Sequence, residues 1–143
     1  MFLNKKIKDL ISKEEKFINI KKNFNNLRKL NNENKNKIKN YLNKNNLKKI
    51  IGFGASVGTT TLIYDFELTD RISYIFDNEK KRHNMILPGT NIKVKTPKKI
   101  SKHNVVLVFA WRYFSNILKR NKKFFPKGTI FILPLPKFKI IKI

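Results

Sequence analysis

No cysteine occurs anywhere in the 143 residues, which excludes disulfides, thiolate catalysis and cysteine-based zinc sites. Carboxylates are scarce too: nine Asp and Glu stand against 33 Lys and Arg, and no carboxylate side chain follows Glu79. Paired-acid catalysis therefore has no residues to use in the second half of the chain. The two histidines, His83 and His103, fit no metal or triad spacing, so no metal is expected and no acid or base can be assigned. His83 could act as a base only if another group supplied the reacting atom, and His103 reads as a loop residue before a buried strand. Long apolar runs are also missing. The longest, Val105 to Trp111, falls far short of the roughly 20 residues that span a bilayer, and no basic start followed by an apolar stretch marks a leader. A cytoplasmic protein without a membrane partner is the expectation.

What is abundant is lysine. A net charge of +24 would ordinarily point to a polyanion partner. The cations are overwhelmingly Lys, however, and are spread evenly among Asn and Ile, three residue types that share A/T-rich codons. No aromatic RNA-binding motif accompanies them. Base composition explains the charge, and nucleic acid is expected to bind only non-specifically at low salt.

The length suits one domain of ordinary size, and most apolar residues lie after Asn46. Residues 1–46 read as a basic amphipathic helical segment, with apolar residues such as Phe2, Ile7, Leu10, Ile11, Phe17, Ile18, Phe24 and Leu27 at three- and four-residue spacing. Its Asn-rich stretch from Leu30 to Lys37 is expected to interrupt the helix. Such a helix fits packing against the following domain or a partner better than a calmodulin-target or membrane-surface role.

From Leu47 the pattern changes to short β-rich runs separated by turns and helical stretches, the texture of an α/β sheet. Four or five strands are expected: Lys48 to Phe53, Arg71 to Asp77, a short Asn91 to Lys95, Asn104 to Ala110 and Thr129 to Leu133. Helices are expected over Ser56 to Glu67 and Trp111 to Lys122, and the tail Lys137 to Ile143 reads as an edge strand. Residues 47–143 thus form one α/β domain.

Between the first strand and helix lies Gly52-Phe53-Gly54-Ala55-Ser56-Val57-Gly58, followed by Thr59, Thr60 and Thr61. Glycine lets backbone approach a ligand, and helix N-terminal amides favour an anion, so this turn reads as a phosphate cradle. The spacing departs from a dinucleotide fingerprint: Val57 takes the place of the third glycine and Gly58 falls one position late. Asp77 stands where a ribose-binding acid would belong. The three glycines could instead serve tight packing, and Ser56 and the threonines could simply cap the helix. Lys80, Lys81, Arg82 and His83 follow on a loop at the ligand-binding edge of such a sheet, suiting either phosphate or plain solvation.

The series Ile51-Gly52-Phe53-Gly54-Ala55-Ser56, Tyr74-Ile75-Phe76-Asp77-Asn78, Leu87-Pro88-Gly89-Thr90-Asn91-Ile92, Val105 to Trp111 and Phe131-Ile132-Leu133-Pro134-Leu135-Pro136 resembles the C-terminal domain of S-adenosylmethionine-dependent sugar C-methyltransferases. The Leu87-Pro88-Gly89-Thr90 turn and the Asp77-Asn78 strand end are its most specific marks. The resemblance implies a Rossmann-like, mostly parallel sheet with flanking helices, preceded by a helical segment. It implies a nucleotide-sugar-binding role, with Gly52, Gly54, Ala55, Ser56, Gly58, Thr59, Thr60, Asp77, Asn78, Pro88, Gly89 and Thr90 facing the substrate cleft. The family's complete enzymes also carry a zinc-binding segment and a central domain that binds S-adenosylmethionine and holds the catalytic residues. This chain is therefore expected to bind no cofactor and to be catalytically silent alone. It would act with a separate S-adenosylmethionine-binding catalytic chain or survive as a remnant. A stand-alone NAD(P)- or nucleotide-binding module and a nucleic-acid-binding protein are the alternatives.

Overall fold

The computed structural model describes residues 4–17, 20–101 and 104–143, so Phe2, Ile18 and His103 lie outside the described residues. The contacts divide the chain into two units, Met1–Glu33 and Asn34–Ile143. In the first, α1 (Lys5–Phe17) opens at Asn4, whose side-chain oxygen accepts from the Lys6 N–H at 3.2 Å. Ile7, Leu10 and Ile11 on α1 are exposed, as are Phe24 and Leu27 early in α2 (Ile20–Lys44).

The Asn-rich stretch does not break the helix: α2 runs unbroken from Leu30 to Lys37 and beyond. Asparagine's helix penalty is only some tenths of a kcal/mol, and within the second unit tertiary bonds outweigh it. Asn34 is buried on α2 with its amide clasping the chain near the C-terminus. Its Nδ2 donates to the Pro136 carbonyl and its Oδ1 accepts from the Phe138 N–H, both at 2.9 Å. One and two turns further, Ile38 and Leu42 are also buried, so the end of α2 packs on the sheet.

That sheet has six strands in the order β3-β2-β1-β4-β5-β6. The strands are β1 (Ile50–Phe53), β2 (Ile72–Phe76), β3 (Lys93–Lys95), β4 (Val105–Val108), β5 (Ile130–Leu133) and β6 (Lys139–Lys142). The first five are parallel, and β6 runs antiparallel at the edge, as the alternating tail suggests. This is the mostly parallel, Rossmann-like α/β architecture expected from the sequence. β1 and β4 are buried at every residue, because both sheet faces are covered. On one face Ile50, Leu107 and Ile132 meet α2 and α3 (Val57–Asp65). On the other, Phe53, Val108 and Phe131 meet Ile117 of α4 (Phe114–Asn121) and the ring of Phe125. The expected helix over Trp111 to Lys122 is shorter than its pattern, with a 3-10 turn at Trp111–Tyr113 before α4.

Just past the end of α3, Glu67 adopts φ 54° and pairs with both Lys35 and Lys39 of α2. Hydrogen bonds from Lys35 and then Lys39, with their charges, hold its carboxyl at about 2 instead of 4.5.

Two outcomes follow from these contacts. Asn34→Ala removes both of its part-buried hydrogen bonds, and should cost about 1–3 kcal/mol in urea denaturation. Glu67 has a folded pKa below its unfolded one, so its contribution is present above about pH 4.5 and lost as the pH falls toward about 2. Glu67→Gln should therefore flatten the denaturation midpoint over that window, modestly, because the group is exposed and screened.

Candidate functional site

The glycine turn connects β1 to α3, and its three glycines do three different things. At Gly52, inside β1, an added Cβ would lie 2.7 Å from Ile75 Cγ1 and 2.8 Å from Phe109 Cε2, so this residue makes room for packing under the strand. Gly54 has φ +93°, and an added Cβ would come 2.5 Å from the Ala110 Cβ, which brings the ends of β1 and β4 together. Gly58 meets nothing within 4 Å of where its Cβ would be.

Most of the turn's amides are already used. The Gly54 N–H donates to the Phe76 carbonyl at 2.7 Å, and the Ala55 N–H donates to Asp77 Oδ2 at 2.6 Å. The Ser56 N–H donates to Thr59 Oγ1 at 3.0 Å, and the Thr59 N–H donates to the Ser56 carbonyl at 2.9 Å. Buried Thr59 gives its own hydroxyl proton to the Gly54 carbonyl at 2.7 Å. Its 3.2 Å contact with Ser56 must then be donated by Ser56, since a hydroxyl carries one proton. The donors left at the turn are the N–H groups of Val57 and Gly58, two of the four leading amides that find no partner within an α-helix. The place a phosphate would take beside Ala55 is held by a carboxylate of the protein itself.

That carboxylate, Asp77, is 5% exposed at the end of β2. Besides Ala55 it accepts from the Glu79 N–H at 2.7 Å through Oδ1 and from Arg82 Nη1 at 3.1 Å through Oδ2. His83 completes the cluster. Its Nε2 lies 2.8 Å from the Asp77 carbonyl, which can only accept, so Nε2 carries a proton, while Nδ1 lies 3.0 Å from the Thr96 hydroxyl. Neighbouring Lys80 and Lys81 are exposed.

Gly54, Asp77 and Ala110 lie at the C-terminal ends of adjacent strands β1, β2 and β4. The chain leaves β1 toward β2 on one side while β4 lies on the other, so the strand order reverses here, where open α/β sheets hold ligands. A pocket of about 400 Å³ opens at that point. Of the residues singled out in the sequence, Gly54, Ser56, Asp77, Asn78 and Arg82 line it. Ala55, Thr60 and Pro88 line a separate, more apolar hollow of about 480 Å³ that shares Ser56 and Arg82 with the first. Gly89 and Thr90 line a third, with Lys49, Thr69 and Asp70, which precede β1 and β2 and so mark the opposite end of the sheet. Their turn is stitched internally: the Thr90 hydroxyl donates to the Leu87 carbonyl at 2.9 Å and accepts from the Ile92 N–H at 3.1 Å.

The pocket at the strand reversal also gathers Arg112 and Arg120, which sequence reasoning did not single out, together with Arg82. The chain has 28 Lys and only five Arg, yet three arginines and no lysine line this pocket. Arg82 has Asp77; among the described residues Arg112 and Arg120 have no acidic partner. Trp111, Tyr113 and Asn116 were missed as well. A faint signal existed, because Tyr113, Asn116, Ile117 and Arg120 recur at the spacing of one helix face. Planar guanidinium forks grip phosphate or carboxylate oxygens in pairs, which ammonium groups cannot do.

A family model described as the C-methyltransferase C-terminal domain matches residues 3–136. The chain belongs to this family. It is also 29% identical over 97 residues to the C-methyltransferase NovU of Streptomyces niveus, a match that covers 66% of this chain and 23% of that protein. The chain thus corresponds to about a quarter of the relative it matches. In this C-methyltransferase C-terminal domain, no cluster of three or more His, Asp or Glu among the described residues is placed to hold a metal ion. Among those residues, too, no helix is long and apolar enough to cross a membrane.

The division of labour among the glycines is open to test. Gly54→Ala should lower stability by about 2 kcal/mol or more, from backbone strain and the Ala110 clash. Gly58→Ala should raise it by about half a kcal/mol, since alanine fits a helix better and meets nothing there. Urea denaturation of the two variants separates these signs.

Proposed function

We propose that this C-methyltransferase C-terminal domain is a nucleotide-sugar-binding domain, acting in sugar C-methylation with a separate S-adenosylmethionine-binding catalytic chain or domain. One observation carries the proposal: three arginines, two of them without acidic partners among the described residues, line one pocket where the strand order reverses. A nucleotide-linked sugar supplies the matching chemistry, a diphosphate with planar and polyhydroxyl ends. Asn78, Asn116 and the Ser56 hydroxyl supply neutral hydrogen-bonding groups around the arginines.

The same pocket is a poor fit for S-adenosylmethionine. A sulfonium carries positive charge, and the only carboxylate lining the pocket, Asp77, already serves two N–H groups and Arg82. The pocket also lacks a free base to take a proton from a sugar carbon. The donor and the base therefore belong to the catalytic partner, and this chain contributes positioning and charge. An NAD(P)-binding role fits less well, because the acid that would hold a ribose is engaged within the protein.

Isothermal titration of a nucleoside diphosphohexose into the full chain tests the proposal. Arg120→Ala should weaken binding about tenfold to a hundredfold, the value of hydrogen bonds to a charged group. Lys119→Ala removes the same charge from the neighbouring exposed position and should leave affinity nearly unchanged. Equal losses in both variants, or micromolar binding of S-adenosylmethionine by the chain alone, would overturn it.

A further inference from the structure

Trp111 is the only tryptophan of the chain, and it lines the arginine pocket directly beyond β4. The Arg112 guanidinium lies over its ring, 4.4 Å from the centroid. This is an unusual place for Arg112. It stands in a pocket with Arg82 and Arg120, no carboxylate follows Glu79 in the sequence, and its contact is an aromatic face.

We propose that Trp111 is the nucleobase platform of the pocket and that Arg112 is its removable cover. The inference rests on the nucleotide-sugar reading above. The Trp111 indole is half-buried, and a guanidinium over such a ring is held weakly, whereas a base stacked on an aromatic ring is held more strongly and needs no particular base edge. A nucleoside diphosphate entering the pocket exchanges one for the other. The base takes the indole face, and Arg112 swings onto the diphosphate, where its charge gains a partner it lacks in the free protein. Asn116, on the adjacent turn of α4, is the amide available to the base edge, while Arg82 and Arg120 remain for the phosphates. Because Arg112 precedes α4 within a three-residue 3-10 turn, the exchange needs side-chain rotation and no movement of a strand or helix.

The single tryptophan makes the exchange visible in the full chain without a variant. Titration with UDP should quench Trp111 emission, whereas inorganic pyrophosphate, which has no base, should bind without that quench. In calorimetry, Trp111→Leu should weaken UDP about tenfold or more and leave pyrophosphate affinity unchanged. Arg112→Ala should weaken both. UDP binding with no change in emission, or UDP and pyrophosphate affinities that fall together in Trp111→Leu, would overturn the platform while leaving the anion pocket standing. Failure of both ligands to bind the wild-type chain would overturn the pocket and the platform together. Should Trp111→Leu not fold, the wild-type emission titration decides alone.

Discussion

A carboxylate almost sealed from water ties the ends of two strands to the turn between them. Asp77 closes β2, yet its oxygens reach the Ala55 amide in the turn after β1, the Glu79 amide in the next loop and the guanidinium of Arg82. A charge buried this deeply is tolerated only when its acceptors are filled by well-placed donors. The turn is therefore shaped around an anion of the protein's own, and any external anion must sit further out. The arginines stand in that outer position. Arg82 belongs to both circles, since it neutralises Asp77 and lines the pocket.

The packing behind this arrangement keeps it stiff. Gly54 lets β1 meet the backbone of Ala110, and the Phe53 carbonyl accepts from both Phe109 and Ala110 at 2.9 and 3.3 Å. Phe53 in turn makes edge contacts with the rings of Phe76 and Phe125. Three strand ends are thus fastened to each other before any ligand arrives. The side chains that differ in freedom, Arg112, Tyr113 and Arg120, are exposed on the 3-10 turn and α4. A rigid scaffold with adjustable cations suits the substrate-holding role proposed above.

Much of this fold was legible because its signals are local. Apolar runs such as Ile50-Ile51 and Val105 to Val108, broken by glycine and proline, announce buried parallel strands, and the alternating Lys139 to Lys142 announces an edge. The Asn-rich part of α2 was misread because propensity carries no information about Asn34's partners, which lie over one hundred residues away. The rim of the pocket was legible at Gly54, Ser56, Asp77 and Asn78, whose place follows from ending a strand or starting a helix. Gly89 and Thr90 were grouped with them on motif order, and the structure puts them at the other end of the sheet. Arg112 and Arg120 stayed hidden because cations are everywhere in this chain. Their distinction is chemical, arginine among lysines, and it acquires meaning only once topology brings them beside Arg82.

The two margins of the sheet have a consequence of their own. On the β3 side the outer edge is already covered, since the Val94 N–H donates to the Met85 carbonyl and the Val94 carbonyl accepts from the Asn84 N–H, whereas β6 lies open and begins and ends in lysine. Free strand edges invite another chain to dock by backbone pairing, and flanking ammonium groups discourage it. A second copy approaching β6 would crowd like charges together before its first inter-chain bond could form. The abundant lysine that obscures the arginine pocket in the sequence thus works against fibre-like pairing along the sheet's one open flank.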